Sequence, residues 1–279
     1  MADITTIEQL AKRRGFFWPT AEIYNPISGF WTYGPLGTRL KTKLLYFWRQ
    51  YFVKEEGMIE LDGSQIMPED VFRSSGHLVS FQDPIVECKK CKSIFRADKL
   101  IEEKTKKIIP EAMKKEDFDK LITENKIACP SCKGELSKTS MHNLMLKTFL
   151  GPKQEEIAYL RPETCQNLFI DFPQIYRVMR SKLHIALVQT GKSFRNEISP
   201  RQNLFRMREF TQGEIEVFFN PETENDFKKF DEVKDYKLRL ALLNKEDNII
   251  EISCEEAFRK KILKSKIETY YLALQLKFF

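Results

Sequence analysis

One stretch limits the possible folds more than any other: GKSFRNEISPRQNLFRMREFTQGEIEVFF, Gly191 to Phe219. It reads as two strands joined by a loop, because its polar and apolar residues alternate at strand period. Successive side chains of a strand point to opposite faces. In the second strand, Arg206, Arg208, Phe210, Gln212, Glu214 and Glu216 share one face, and Phe205, Met207, Ile215 and Val217 take the other. Glu209 breaks the apolar set. In the first strand, Gln189, Ser193, Arg195 and Glu197 fall together against Ala186, Val188 and Phe194, while Leu187 and Lys192 each land on the wrong side. A solvated amphipathic sheet is the plain explanation. Against it stand the repeated arginines, whose planar forks suit phosphate and carboxylate. Phe210 also lies among the charges, where a flat ligand could stack. The pattern predicts a binding surface for a flat anion.

Four of the six cysteines form two CxxC pairs, Cys88 with Cys91 and Cys129 with Cys132. With no secretory signal at MADITTIEQLAKRR, this set predicts a structural zinc site of four thiolates rather than disulfides. Such a site has no open coordination position and carries no chemistry. Cys165 and Cys254 are read as buried small hydrophobes.

The 279 residues and formal charge of +6 fit an ordinary globular protein with a weak basic lean. No apolar run approaches the roughly 20 residues of a membrane span, and a cytoplasmic location is expected. A helix is predicted after Thr5, with Glu8 completing a capping box. A second spans Thr38 to Glu56, its stripe of Leu40, Leu44, Phe47, Trp48, Tyr51 and Phe52 facing either its own domain or a partner chain. A strand follows from Met58 to Met67. Residues 84–140 form a lysine-rich insertion bracketed by the CxxC pairs, with a helix from Met113 to Asn125 and lysines read as a solvated face. NLMLKTF predicts a strand, and a helix after YLRPET runs to about Ser181. Helical segments are predicted over Glu222–Leu243 and Cys254–Leu276. The fold class is α+β, divided into residues 1–83, 84–140 and 141–279.

FRNE, a loop and RMREF resemble motif 2 of the class II aminoacyl-tRNA synthetases. FRNEISPR followed by REFTQGEIE is similar to the dimeric type of glycyl-tRNA synthetase. FWTYGPLG, SGHLVSFQDP, FRADKLIEE, NLMLKTFLGP and LRPETCQNLF agree in order. The resemblance implies an antiparallel sheet flanked by helices, with a zinc-ribbon-like insertion and a homodimer formed through the motif 1 region at Thr38 to Pro68. It implies ATP, glycine and tRNA(Gly) as ligands, with Mg2+ at the phosphates. Arg195 would bind the ATP α-phosphate and the glycine carboxylate, and Glu197 would accept from the adenine amino group. Phe210 would stack under adenine, and Arg206 and Arg208 would engage phosphates. Asn196, Phe205, Met207 and Glu209 complete the ATP-binding set. Glu163 and Glu214 would hold the glycine ammonium, and Arg96 matches a substrate-site position. The three histidines, His77, His142 and His184, are read as structural.

The chain departs from the family pattern at Cys165 and Asn167, and at Gln212 and Gly213. No segment resembling motif 3 or an anticodon-binding domain follows, so the sheet is expected to be incomplete at the C-terminus. The chain alone is expected to be weakly active or inactive, with a second chain a possible source of motif 3. The implied activity is glycine-tRNA ligation; the alternative is a non-catalytic nucleotide- or tRNA-binding relative.

Overall fold

The structure is a computed structural model that describes residues 4–110, 113–198, 200, 203–242 and 249–279. The chain divides into two compact units, the first of Met1–Lys43, Asp62–Ile170 and Gln189–Glu214, the second of Leu44–Leu61, Asp171–Val188 and Ile215–Phe279.

The N-terminal helix is α1, Ile4–Arg13, and so starts before Thr5 and not after it; the side chain of Thr5 lies outside the described residues. β1, Phe17–Pro19, pairs antiparallel with β2, Trp31–Tyr33. α2 starts earlier than predicted, at Pro35, a position where proline's missing N–H has no helical partner to lose. It runs to Trp48 and then widens into a π-helix over Arg49–Glu55. The wider turn shifts side-chain register, and the predicted single stripe splits. Leu40, Leu44 and Phe47 are exposed, whereas Trp48, Tyr51 and Phe52 join a core.

The strand predicted over Met58 to Met67 is two short ones, β3 at Ile59–Glu60 and β4 at Ile66–Pro68. Asp62-Gly63-Ser64 breaks it with turn chemistry, and the carbonyls there serve another partner described below. α3, Glu69–Ser74, and α4, His77–Ser80, follow. The insertion opens with β5, Gln82–Glu87, and β6, Ile94–Arg96, continues through α5, Ala97–Thr105, and α6, Lys115–Glu124, and closes with β7, Ser140–Asn143. β5 lies between β6 and β7 in an antiparallel sheet. Val86, Ala97, Leu100, Ile101, Phe118, Ile122 and Leu136 form a separate core there with Cys88 and Cys129.

NLMLKTF is broken at Leu144 and Met145, and β8 is Leu146–Leu150. It pairs antiparallel with β9, Glu156–Leu160, which pairs in turn with β4. α7 covers Cys165–Val178. The predicted hairpin is β10, Ile185–Phe194, and β11, Glu209–Phe218, in a sheet of order β11-β10-β3. β3 runs parallel to β10, through Leu187↔Ile59 and Val188↔Glu60. The fold is thus a mixed α+β one whose pairings are mostly antiparallel. β10 is buried on both faces, not one: Leu187, Val188, Gln189 and Ser193 are all inaccessible. This explains why Leu187 broke the predicted alternation, since a strand covered on both sides has no polar face to keep.

Beyond β11 the helix predicted over Glu222–Leu243 is overturned. Short 3-10 turns at Pro221–Thr223 and Lys228–Glu232 lead into β12, Lys237–Ala241, which pairs antiparallel with β13, Ile249–Ser253. Leu238 and Ile252 point inward from facing registers, a period of two that a helical reading misses. The last predicted helix is two, α8 at Cys254–Arg259 and α9 at Lys266–Phe278. Ser253 and Ser265 cap them by accepting from the N–H groups of Glu256 and Glu268. Phe52, Met58, Ala186, Val188, Phe227, Leu238, Tyr270 and Leu274 form the core of the second unit.

Candidate functional site

The site is built around Arg161-Pro162-Glu163-Thr164, the link from β9 to α7. Arg161 is wholly buried; among the described residues no carboxylate forms an ion pair with it, though the charge of Asp62 acts on it. Its Nε donates to the Lys192 carbonyl at 2.8 Å and its Nη1 to the Gly63 carbonyl at 2.9 Å and to Asn167 Oδ1 at 3.1 Å. With its amide oxygen turned toward them, Gln189 accepts from Arg161 Nη1 at 2.6 Å and Gly63 N at 2.9 Å. Gly191 lets this happen, because a Cβ there would stand 2.1 Å from Arg161 Nη2. Burial lowers the Arg161 pKa, and these carbonyl oxygens compensate the desolvated charge. Asn167, a departure in the sequence, is therefore part of the arginine's cradle.

The next three residues each hold part of the site. The Pro162 carbonyl accepts from Arg195 Nε at 3.0 Å. Thr164 Oγ1 donates to Glu214 Oε2 at 2.7 Å. Glu163 Oε1 accepts from His77 Nε2 at 3.1 Å, Cys165 Sγ at 3.0 Å and Gln166 Nε2 at 2.7 Å. Cys165 is thus half-buried beside a carboxylate, not a core hydrophobe; Cys254 is buried as expected. Histidine 77, expected to be structural, touches a candidate ligand-binding acid.

The hydrogen bond from His77, helped by those from Cys165 and Gln166, pulls Glu163 from 4.5 to about 2. A carboxyl depressed in the folded state adds stability that is complete above its unfolded value and is lost as pH falls through its folded one. Acid unfolding should therefore show wild type losing an advantage over Glu163→Gln between pH 4.5 and about 2. Denaturant melts at stepped pH measure it; a constant difference across that window would contradict the assignment.

On the hairpin, the Arg195 guanidinium lies 5.3 Å from the ring centroids of both Phe81 and Phe210. Its orientation is fixed by two aromatic rings and the Pro162 carbonyl. Asn196 is held through its backbone, its N–H on the Leu144 carbonyl and its carbonyl on His142 Nε2. Glu197 is buried, and Arg206 Nε and Nη2 both reach its Oε2 at 2.5 Å. Arg206 also reaches Asp83 at 3.4 Å, and Asp83 accepts from Arg96 Nη1 at 2.9 Å. Asp98 takes the other edge of Arg96 at 3.0 and 2.6 Å. Burial pushes the Asp83 carboxyl up against the pull of Arg96 and Arg206.

Arg208 donates to the carbonyls of Glu197 (2.9 Å) and Ser28 (2.6 Å). Its N–H bonds the carbonyl of Gly29, a left-handed residue at φ 86° whose Cβ would meet Pro200 at 2.5 Å. Met207 is buried, as predicted, but Phe205 is 82% exposed instead of packed. It belongs to a 3-10 turn, Asn203–Phe205, outside the strand alternation. Glu209 and Lys192, the two charges on the wrong face, pair with one another at 2.6 Å. Ser193 donates to Gln212 Oε1 at 3.2 Å.

In the insertion, the sulfurs of Cys88, Cys91, Cys129 and Cys132 lie within 4.8 Å of one another and could hold a metal ion. A tetrahedral zinc with bonds of about 2.3 Å needs sulfurs about 3.8 Å apart. The Cys88–Cys132 and Cys91–Cys129 separations are 3.5 and 3.6 Å. The donor set and spacing fit.

Sequence reasoning missed His77, Gln166, Thr164, Arg161, Phe81, Asp83 and Asp98. All seven sit in quoted motifs, SGHLVSFQDP, FRADKLIEE and LRPETCQNLF, which was the only signal for them.

The family model for the tRNA synthetase class II core domain (G, H, P, S and T) matches residues 148–270. A glycine-tRNA ligase of Methanothrix thermoacetophila is 45% identical over 269 residues, covering 96% of this chain and 46% of that protein. One of Pyrococcus abyssi is 46% identical over 271 residues, covering 96% and 47%. One of Methanococcus vannielii is 41% identical over 280 residues, covering 98% and 49%. The chain spans about half the length of the curated relatives it matches. Among solved structures, the RNA-binding domain of threonyl-tRNA synthetase from Cryptosporidium parvum Iowa II aligns with a TM-score of 0.49 at 20% identity, over 80% of this chain and 39% of that one.

Proposed function

The chain belongs to the class II tRNA synthetase family, and on that premise we propose that it carries the ATP- and glycine-binding wall of a glycine-tRNA ligase. The observation that carries the proposal is the segment Pro162-Glu163-Thr164, which carries Glu163 itself and holds Arg195 on the Pro162 carbonyl and Glu214 on the Thr164 hydroxyl. One guanidinium and two carboxylates held this way suit a substrate bearing both a carboxylate and an ammonium.

In the proposed reaction a glycine carboxylate oxygen attacks the α-phosphorus of ATP in line. The bond from that phosphorus to the bridging oxygen breaks, giving glycyl-adenylate and pyrophosphate. A tRNA(Gly) ribose hydroxyl then attacks the glycyl carbonyl and AMP leaves. Two anions must meet in the first step, so catalysis is positioning and charge stabilisation. Arg195 bridges the carboxylate and the α-phosphate. Glu163 and Glu214 take the ammonium. Phe210 supports adenine, and Glu197 accepts from its amino group. Mg2+, when bound, would neutralise phosphate charge.

Arg206 and Arg208 are assigned to positioning. The first is held on Glu197 and Asp83, and the second on backbone carbonyls. Arg96 reaches the site through Asp83. Asn196, Phe205, Met207 and Glu209 shape the surrounding hairpin. The four cysteines would hold a structural Zn2+ that fixes the insertion over residues 84–140. The exposed Leu40, Leu44, Tyr46 and Phe47 on and near α2 would form a homodimer face. No described helix is long and apolar enough to cross a membrane, and a cytoplasmic location suits the proposed activity.

Glycine-dependent ATP–pyrophosphate exchange tests the proposal, run on the chain alone and with the remaining half of a relative supplied in trans. Exchange driven by glycine and not by alanine or serine is expected, weak in the first arrangement and stronger in the second. Its absence from both, with the fold confirmed by circular dichroism, would favour the non-catalytic binding reading.

A further inference from the structure

Oxygen Oε1 of Glu163 is fully engaged, by His77 Nε2 at 3.1 Å, Cys165 Sγ at 3.0 Å and Gln166 Nε2 at 2.7 Å. Among the described residues no donor reaches its Oε2. Gln166 is 5% exposed, and its amide oxygen is buried with no donor among the described residues. Buried acceptors are almost always satisfied, and one left open invites a ligand or water. Glu214 shows the same asymmetry, with Oε2 taken by Thr164 at 2.7 Å and no described donor on Oε1. His77 is itself fixed from behind: Ser75 Oγ lies 2.9 Å from Nδ1, and the Phe72 and Phe81 rings stand 6.2 and 5.4 Å from the imidazole.

We propose that His77 and Gln166 are positioning residues for the substrate amine: they occupy Oε1 of Glu163, leaving Oε2 for a primary ammonium, and the Gln166 amide oxygen is a further acceptor for it. The inference rests on the reading of Glu163 as an ammonium-binding acid. An ammonium carries three N–H donors. Glu163 Oε2, Gln166 Oε1 and Glu214 Oε1 are three acceptors that no described donor satisfies. The same hydrogen bonds that occupy Oε1 keep Glu163 ionised, with its carboxyl at about 2. The substrate ammonium would therefore meet a carboxylate at any ordinary pH.

Calorimetric titration of the chain with glycine and, separately, with ATP and Mg2+ tests this. Losing one charge-assisted hydrogen bond should weaken glycine binding about tenfold. His77→Leu is expected to show that loss while ATP affinity stays within about twofold. His77→Gln, whose amide can reach Glu163 from the same side, should recover most of it. Gln166→Leu, which removes a donor and an acceptor, should lose more than His77→Leu. Should His77→Leu not fold, His77→Asn serves: it keeps reach to Ser75 but not to Glu163. Unchanged glycine affinity in both His77→Leu and His77→Asn, an equal loss for ATP, or a His77→Gln variant as weak as His77→Leu would each overturn the positioning role. Wild type failing to bind glycine, or Glu163→Gln binding it normally, would instead overturn the reading of Glu163, and this inference with it.

Discussion

Arg195→Ala is expected to weaken ATP binding about 100-fold and to abolish measurable glycine-dependent exchange. Charge-assisted hydrogen bonds contribute about 1.5–3 kcal/mol each, and a tenfold change in affinity is about 1.4 kcal/mol. A further loss falls on the transition state, where negative charge builds at the α-phosphate. Arg195→Lys should recover little. The lysine keeps the charge but cannot lie flat between Phe81 and Phe210, nor hold the Pro162 carbonyl and phosphate in one fork. Stability should change far less than binding, since the two ring contacts contribute only about 0.5–1 kcal/mol each at a partly exposed site. Calorimetry with ATP and a thermal melt separate the effects. An Arg195→Ala chain that binds ATP like wild type would remove Arg195 from the phosphate site.

Removing the metal, or changing Cys129 to Ser, is expected to unfold the insertion while the second unit keeps its structure. Cys88 and Cys129 are buried in a core of few apolar side chains, and a core of that size supplies at most about 3–5 kcal/mol. A structural zinc contributes on the order of 10–16 kcal/mol in small modules. The loss should reach the hairpin. β5 carries Asp83 near one end and leads directly to Cys88 at the other, while Arg96 ends β6 opposite Ile85. These are the groups that hold Arg206 against Glu197. Hydrogen exchange with and without chelator should show lost protection over residues 84–140 and a smaller loss around Arg206. One zinc per chain should appear by atomic absorption. Unchanged exchange after metal removal would contradict the structural role.

The hairpin was legible because strand geometry is local. Alternation put Phe210 with Glu214, while Arg195, Glu197 and Arg208, grouped by the same count, lie just beyond the ends of β10 and β11; even its failures had content, since Lys192 and Glu209 pair with each other. The four cysteines were legible because CxxC spacing brings two thiols to one side of a turn. The β12–β13 hairpin was missed because two short, charged strands have weak period-two signals beside the helix-forming residues that flank them. The π-helix after Trp48 gave no signal, and the aromatic stripe was consequently read as one face.

Residue types and their spacing were thus set by the sequence, which, with the resemblance its motifs carry, supplied candidates for the acids, the arginine fork, the stacking ring and the metal ligands. Tertiary structure alone decided which partner each received. His77 meets Glu163 across 86 positions, and Arg206 meets Asp83 across 123. Side-chain period follows from local φ and ψ, which neighbouring residues restrict. A charge's partner depends on where distant segments cross and on how much water that crossing excludes. That is why the resemblance could name Glu163 as a candidate binding acid, while the oxygen it presents could be found only in the folded chain.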